Sequence, residues 1–424
     1  MRVTVRRSEI DGGIAAPSSK SMTHRAVICS ALAQGRSRVE TPLSADDTEA
    51  TLRVVQALGV GVERLKGSWI IEGGKLSPPT EDLDCGESGT TLRLMTAVCA
   101  LAEGPSVLKG GPSLSGRPVE PLLDALRQLG VDCESRGGNP PVKVHGKGGF
   151  EGGEVSIRGD ISSQFVSALL LVAPFSRERL RVKVTTRLES APYVGMTLDA
   201  MRAFGVQAET SEGYREFTVK RQAYTPTTFA VEGDWSSGAY TLAAGALAGK
   251  VSVESLHRGS RQADAAIVEV LGEMGAEPKF RGQGIRVECA ELRGIDWDLT
   301  DSPDLFPVVA ALCSAAKGES RLRGLKRLRL KESDRIASMV EGLSRMGVKT
   351  ESSGETITIH GGAPAGAVID PHDDHRIAMA FGVLGLAARG ETTVKDAECV
   401  SKSYPDFWED LEALGARIGR KNDG

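Results

Sequence analysis

"LDALRQLGV", residues 123–131, holds a helix face and the signal for its end within nine residues. Leu123 and Leu126, three apart, lie on one face of a helix, the glycine supplies a left-handed cap, and the valine begins the next segment. The same pattern returns as "VVQALGV" ending at Val60, "LDAMRAFGV" at Val206, "VEVLGEMGA" at Ala276, "MVEGLSRMGV" at Val348 and "LEALGA" at Ala416. Its glycines, at 59, 130, 205, 275, 347 and 415, stand 68 to 75 residues apart. One glycine-capped helix is uninformative, but six at near-constant spacing predict six repeated α/β units.

Each cap is followed by strand, turn and strand, as in "VERLKGSWIIEGG", "VQAETSEGYREFTVK" and "VKTESSGETITIHGG". The last unit runs out at "ARIGRKNDG", short of its second strand, while "MRVTVRR" reads as an orphan strand that completes it. At 424 residues the chain exceeds a single core, so two domains of three units are expected. One would span 14–228 and the other would be discontinuous, 1–13 plus 229–424, with crossovers near 13–16 and 226–232. The active site is expected in the cleft between them.

A net charge of −4 gives no bulk attraction for a polyanion, and 4% aromatics gives little to stack on single-stranded bases. Nucleic acid is therefore not an expected partner, and any anion site must be a local gathering of cations. The seven cysteines are scattered without a C-x-x-C pair, which suits buried free thiols in a reducing cytoplasm. "MRVTVRRSEI" lacks an apolar signal core, and the longest apolar runs, near 165–175 and 377–388, are short for a bilayer. A soluble cytoplasmic protein with no membrane partner is the expectation.

Chemistry gathers at helix starts. "PSSKSMTHR" (17–25) crowds four hydroxyls around Lys20, His24 and Arg25, and Ser18 or Ser19 can cap the helix that follows. Free N–H groups and the dipole at such a start favour anions, although an ordinary capped helix with exposed bases fits equally. The Walker pattern is absent. "CGESGTTLRLM" (85–95) sets Arg93 one turn into a helix, "SGRPVEPLLDAL" sets Arg117 ahead of Pro118, and "GDISSQFVSALLLVAP" sets Ser162, Ser163 and Gln164 before an apolar helix. Each is weak alone. Four in one half suggest a substrate with phosphate and many hydroxyls.

In the second half acids join the bases. "DSPDLFPVVAALCSAA" offers Asp301 and Asp304, and "RLKESDRIASMVEGL" offers Lys331, Glu332, Asp334 and Arg335. Lys331 and Arg335, four apart, are expected to share a helix face. "RLRGLKRLRLK" (321–331) alternates bases with leucines and reads as a strand with a wet basic face rather than a nucleic-acid patch. In "IDPHDDHRIAMAF", His372 and His375 have metal-like spacing, but Arg376 beside them would repel a cation, so no metal is expected. "CVSKSYPDFWEDL" places Lys402 between two serines before the last helix.

Taken together, "KS-x-THR", "SGTT-x-R", "GRP", "SSQ", "KESDR", "DDHR" and "KSYPDF" resemble, in order, the motifs of the 5-enolpyruvylshikimate-3-phosphate synthase family, over nearly the whole chain. The resemblance implies an α/β fold of two domains, each of three βαβαββ units. It implies transfer of an enolpyruvyl group from phosphoenolpyruvate to the 5-hydroxyl of shikimate-3-phosphate, with release of phosphate and no cofactor. It also implies a monomer and a target for glyphosate.

Through the resemblance, Lys20, Ser21, Arg25, Ser162, Ser163, Gln164 and Ser190 would hold the shikimate phosphate and ring hydroxyls, with Tyr193 close by. Arg117, Arg335, Arg376 and Lys402, with the Gly89–Thr90 backbone, would grip phosphoenolpyruvate, which Lys20 and Gln164 would also touch. Asp304 would take the 5-hydroxyl proton, Glu332 would protonate the methylene carbon, and Lys331 and His375 would line the reacting centre. Glu87, Leu94 and Arg327 depart from the commonest family pattern of Asn, Pro and Asn, which bears on substrate affinity. The enolpyruvyl transferase that acts on UDP-N-acetylglucosamine is the nearest rival, but it carries a Cys before "RPV", and "GGPSLSGRPV" has none. A basic-strand scaffold binding nucleic acid is the rival of another class.

Overall fold

The computed structural model describes residues 1–282 and 284–422. Its helices, in chain order, are α1 Lys20–Leu32, α2 Asp46–Ala57, α3 Gly89–Val98, α4 Glu120–Gln128, α5 Ser163–Val172, α6 Ala191–Ala203, α7 Trp235–Ala248, α8 Ile267–Glu273, α9 Phe306–Ala315, α10 Arg335–Arg345, α11 His375–Gly385 and α12 Phe407–Ala413.

The repeated glycines end the even-numbered helices. Gly59, Gly130, Gly205, Gly275, Gly347 and Gly415 all have positive φ, between 77° and 102°. The N–H two residues past each helix cap returns to a carbonyl five residues back. Val60 reaches Val55 O at 3.2 Å, Val131 reaches Leu126 O at 3.1 Å and Val206 reaches Met201 O at 2.9 Å. Ala276, Val348 and Ala416 do the same at 2.9 Å. This is the Schellman arrangement, in which a left-handed residue lets the chain turn back and satisfy carbonyls the helix leaves open. The Val or Ala that follows is buried in every copy, which anchors the turn to the core.

Helices of the two kinds bury themselves differently. In α5, α9 and α11 nearly every residue is buried, as expected for helices apolar all round. In α4 only Leu122, Leu123, Ala125 and Leu126 are buried, so it covers the core with one face.

Among the described residues there are six four-stranded sheets with one shared plan. In the second, Leu83–Asp84 pairs parallel with Glu103–Lys109, which pairs antiparallel with Asn139–Lys147, which pairs antiparallel with Asp132–Arg136. With α3 and α4 between them, these strands make a βαβαββ unit. The N-terminal strand Arg2–Arg6 lies between Glu391–Val394 and Arg417–Lys421 and completes the sixth sheet.

The chain forms two compact units, Ser18–Glu232 and Met1–Pro17 with Gly233–Gly424. Each contains three sheets and its own apolar core. Two strands are exchanged relative to chain order. Ile10–Ala15, which leads into α1, pairs with Gly249–Glu254, whereas Thr228–Ala230, which leads into α7, pairs with Gly35–Glu40. Divisions at 13/14 and 228/229 would fall inside these two strands.

Two local expectations are corrected. The stretch 321–331 is not one strand: Glu319–Arg323 pairs in a sheet, and Lys326–Leu330 winds into a 3-10 turn that buries Arg327 and Leu328. Lys331 stands in extended backbone ahead of α10, so it does not share a helix face with Arg335. Among the described residues no helix is long and apolar enough to cross a membrane. Six cysteines are buried and Cys289 is exposed, all of them free.

Candidate active site

In the unit Ser18–Glu232, Ser19 caps α1, its Oγ accepting from Met22 N at 3.4 Å, and places Lys20 and Arg25 on the first turns. Lys20 Nζ lies 2.8 Å from Asp47 Oδ2, with both side chains largely buried. Arg25 is 2% exposed and donates to Thr197 Oγ1 at 2.8 Å, Ser21 O at 2.8 Å and Tyr193 O at 3.0 Å. Burial pulls its guanidinium down to about 10, which leaves it charged at neutral pH. Ser190, with φ 54°, turns the chain into α6 and accepts from Tyr193 N. Lys20, Ser21, Arg25, Ser190 and Tyr193 thus gather around the start of α1 and α6.

A second group forms where α3, α5 and the 110–118 loop meet. Ser88 caps α3, and Gly89 and Thr90 occupy its first turn. Gln164 joins the helices, donating to Thr90 Oγ1 at 2.9 Å and accepting from Arg93 Nη1 at 2.8 Å. Arg93 also reaches Ser162 Oγ and lies over the Phe165 ring. A methyl placed on Gly89 would sit 3.0 Å from Arg117 Nη1, so the bare backbone there is what the guanidinium approaches. Glu87 accepts from Ser113 Oγ at 2.5 Å and Leu114 N at 2.9 Å, tying it to the loop that carries Arg117. Ser163 is buried beside this group.

The other unit centres on Asp304, in a 3-10 turn leading into α9. Its Oδ1 accepts from Lys331 Nζ at 3.0 Å and Arg335 Nη1 at 2.8 Å, and its Oδ2 accepts from Arg376 Nη2 at 3.1 Å. Burial pushes this carboxyl up, but Arg376, Lys331 and Arg335 more than offset it and hold it well below the usual carboxylate range. Burial lowers the Lys331 ammonium, with Asp304 working against the shift.

Arg335, 1% exposed, is held by three acids. It lies 2.6 Å from Glu332 Oε2 and 2.8 Å from Asp374 Oδ2, besides Asp304. Asp374 also caps α11 by accepting from Arg376 N at 3.0 Å. His375 is buried at the first position of α11, 3.9 Å from Asp374 Oδ1. His372 instead stands in a left-handed turn before the helix and pairs with Glu341 at 2.9 Å, so the two histidines do not form a helical pair. Lys402 Nζ lies 2.6 Å from both Asp373 O and Asp373 Oδ2.

The expected residues therefore fall into two sets, one in each unit. Sequence reasoning gave no role to Asp47, which holds Lys20, or to Asp374, which holds Arg335. Asp47 and Asp374 carry no signal beyond a polar helix start, and Thr197 lies 172 residues from the Arg25 it serves. It also missed Asp264, a buried carboxyl that accepts from Ser236 Oγ. Burial, then the nearby Asp304 charge, pushes Asp264 up to about 7.

The sequence model of EPSP synthase (3-phosphoshikimate 1-carboxyvinyltransferase) matches residues 5–411. The chain belongs to the EPSP synthase family. It is 43% identical over 420 residues to a 3-phosphoshikimate 1-carboxyvinyltransferase of Dehalococcoides mccartyi, covering 99% of each chain. It is 44% identical over 425 residues to one of Methanothermobacter thermautotrophicus, again covering 99% of each. The solved EPSP synthase of Acinetobacter baumannii superposes with a TM-score of 0.83 at 28% identity, over 100% of both chains. The family's enzymes transfer the enolpyruvyl group of phosphoenolpyruvate to shikimate-3-phosphate, a step of aromatic amino-acid biosynthesis.

Proposed function

We propose that this chain performs the family's reaction on shikimate-3-phosphate and phosphoenolpyruvate. The observation that carries the reading is Asp304, a carboxylate held among Lys331, Arg335 and Arg376. Two multiply charged anions must be brought together, and a cluster of Arg and Lys makes that possible. Lys20, Ser21, Arg25, Ser162, Ser163, Gln164, Ser190 and Tyr193 hold shikimate-3-phosphate. Arg117, Arg335, Arg376 and Lys402, with Gly89–Thr90, grip phosphoenolpyruvate.

Asp304 is a weak base while three cations hold it. Phosphate and carboxylate groups arriving at Arg376 and Arg335 draw those cations away and restore its basicity, so the base is armed only when substrates are present. It then takes the 5-hydroxyl proton as the oxygen bonds to C2 of phosphoenolpyruvate, while Glu332 delivers a proton to C3. In the second step the C2–O bond to phosphate breaks, a methyl proton returns to the Glu332 carboxylate and Asp304 passes its proton to the departing phosphate, giving the enol ether and inorganic phosphate. Lys331 and His375 line this centre. The protein works as a cytoplasmic monomer without metal or organic cofactor, and Gly89 leaves the phosphoenolpyruvate side open to glyphosate.

The test is steady-state turnover of wild type, Asp304→Asn and Glu332→Gln with both substrates. Loss of about a hundredfold or more in kcat for each variant is expected of a lost acid or base. Turnover that survives both changes would overturn the assignment.

A further inference from the structure

A buried chain of hydroxyls links an unused histidine to the partner of Lys20. His24 Nδ1 lies 2.7 Å from Thr51 Oγ1, and Thr51 Oγ1 lies 2.7 Å from Thr91 Oγ1. Thr91 Oγ1 in turn donates to Ser88 Oγ at 2.8 Å or Asp47 O at 3.2 Å. The side chain of that same Asp47 grips Lys20 at 2.8 Å. The path therefore starts on α1, crosses α2 and α3, and returns to α1 one turn from where it began. His24, Thr51 and Thr91 are all 0 to 1% exposed.

The hydrogen atoms along this path have one satisfactory order. His24 Nε2 is buried with no hydrogen-bond partner among the described residues. A bare acceptor is cheaper to bury than an orphaned N–H, so the ring proton belongs on Nδ1. Nδ1–H then donates to Thr51, Thr51 to Thr91, and Thr91 onward to Ser88 or the Asp47 carbonyl. The reverse order would strand Nε2–H and leave Thr91 no proton for either acceptor. The charged groups on the neighbouring turns are Lys20 and Arg25 of α1 and Asp47 of α2. Burial first, and then Lys20 and Arg25, hold the imidazole well below its ordinary pKa, so it stays neutral.

We propose that His24 is a positioning residue that acts through Thr51 and Thr91 to fix the Asp47–Lys20 pair for substrate binding. This rests on the reading of Lys20 as a substrate-binding residue. A neutral, singly oriented imidazole suits the task, because a third cation beside Lys20 and Arg25 would push both outward.

Two measurements test it. Imidazole 15N spectra of the wild-type protein, which has six histidines, should show His24 as the neutral Nδ1–H tautomer between about pH 5.5 and 8.5. An Nε2–H tautomer, or titration near an ordinary histidine pKa, would overturn the proposal whatever the enzyme's activity. Kinetically, Thr51→Val should lower kcat/KM about tenfold, and Thr51→Ser, which keeps the hydroxyl, should return it to within about twofold of wild type. Equal kinetics for wild type and Thr51→Val would overturn it. If Thr51→Val does not fold, Thr51→Ser and the wild-type spectra still decide. If the wild-type protein shows no turnover with shikimate-3-phosphate, the reading of function fails and the tautomer alone decides the hydrogen-bond order.

Discussion

Asp304→Asn removes one negative charge from a site built around it. Arg335 keeps Glu332 and Asp374 at 2.6 and 2.8 Å, so it is not stranded. Lys331 and Arg376 lose the carboxylate that each pairs with at 3.0 and 3.1 Å. Breaking a buried ion pair costs about 3–5 kcal/mol, which the 18% exposure of Asp304 discounts to about 2 kcal/mol. In a unit of this size that lowers Tm by about 4–8 °C. Inorganic phosphate should recover part of the loss, since an anion that binds the folded site stabilises it by mass action. Thermal unfolding with and without phosphate, beside kcat for the same variant, reads all three effects. A variant that unfolds like wild type, gains nothing from phosphate and keeps more than a tenth of kcat would refute the reasoning.

Other outcomes follow from the same geometry. Asp264 has a folded pKa raised to about 7, above its unfolded value, so its ionisation opposes folding as pH rises between the two. Asp264→Asn should therefore stabilise the protein by on the order of 4 kcal/mol at pH 8, with the gain vanishing as pH falls towards about 4 in denaturant titrations. Gly130→Ala forces a side chain into φ 78° with open space around it, so a purely conformational loss of about 1 kcal/mol is expected in unfolding. Gly89→Ala brings a methyl to 3.0 Å from Arg117 Nη1. It should raise KM for phosphoenolpyruvate severalfold and weaken glyphosate inhibition, and unchanged values for both would count against the placement of Arg117.

Much of this molecule was legible where the signal is local and repeated. A left-handed glycine after an amphipathic helix is dictated by backbone sterics within nine residues, so six copies exposed the architecture before any strand was paired. The cations were equally readable, because Lys20, Arg117 and Lys402 sit beside caps and prolines that mark helix starts. What stayed hidden depends on distant pairing. Nothing in residues 228–230 announces that they join Gly35–Glu40, because parallel pairing leaves no local trace. Nothing local to Arg335 announces that Asp374, 39 residues on, and Asp304 close around it. The alternating bases of 321–331 imitated one strand, and the 3-10 turn at 326–330 showed only when Leu328 found the core.

The decisive measurement is release of inorganic phosphate from phosphoenolpyruvate, with shikimate-3-phosphate or UDP-N-acetylglucosamine as the acceptor. Release with shikimate-3-phosphate alone is the expected result. Release only with the nucleotide sugar, or with neither acceptor, would contradict the assignment of Asp304 and its cations to the shikimate reaction.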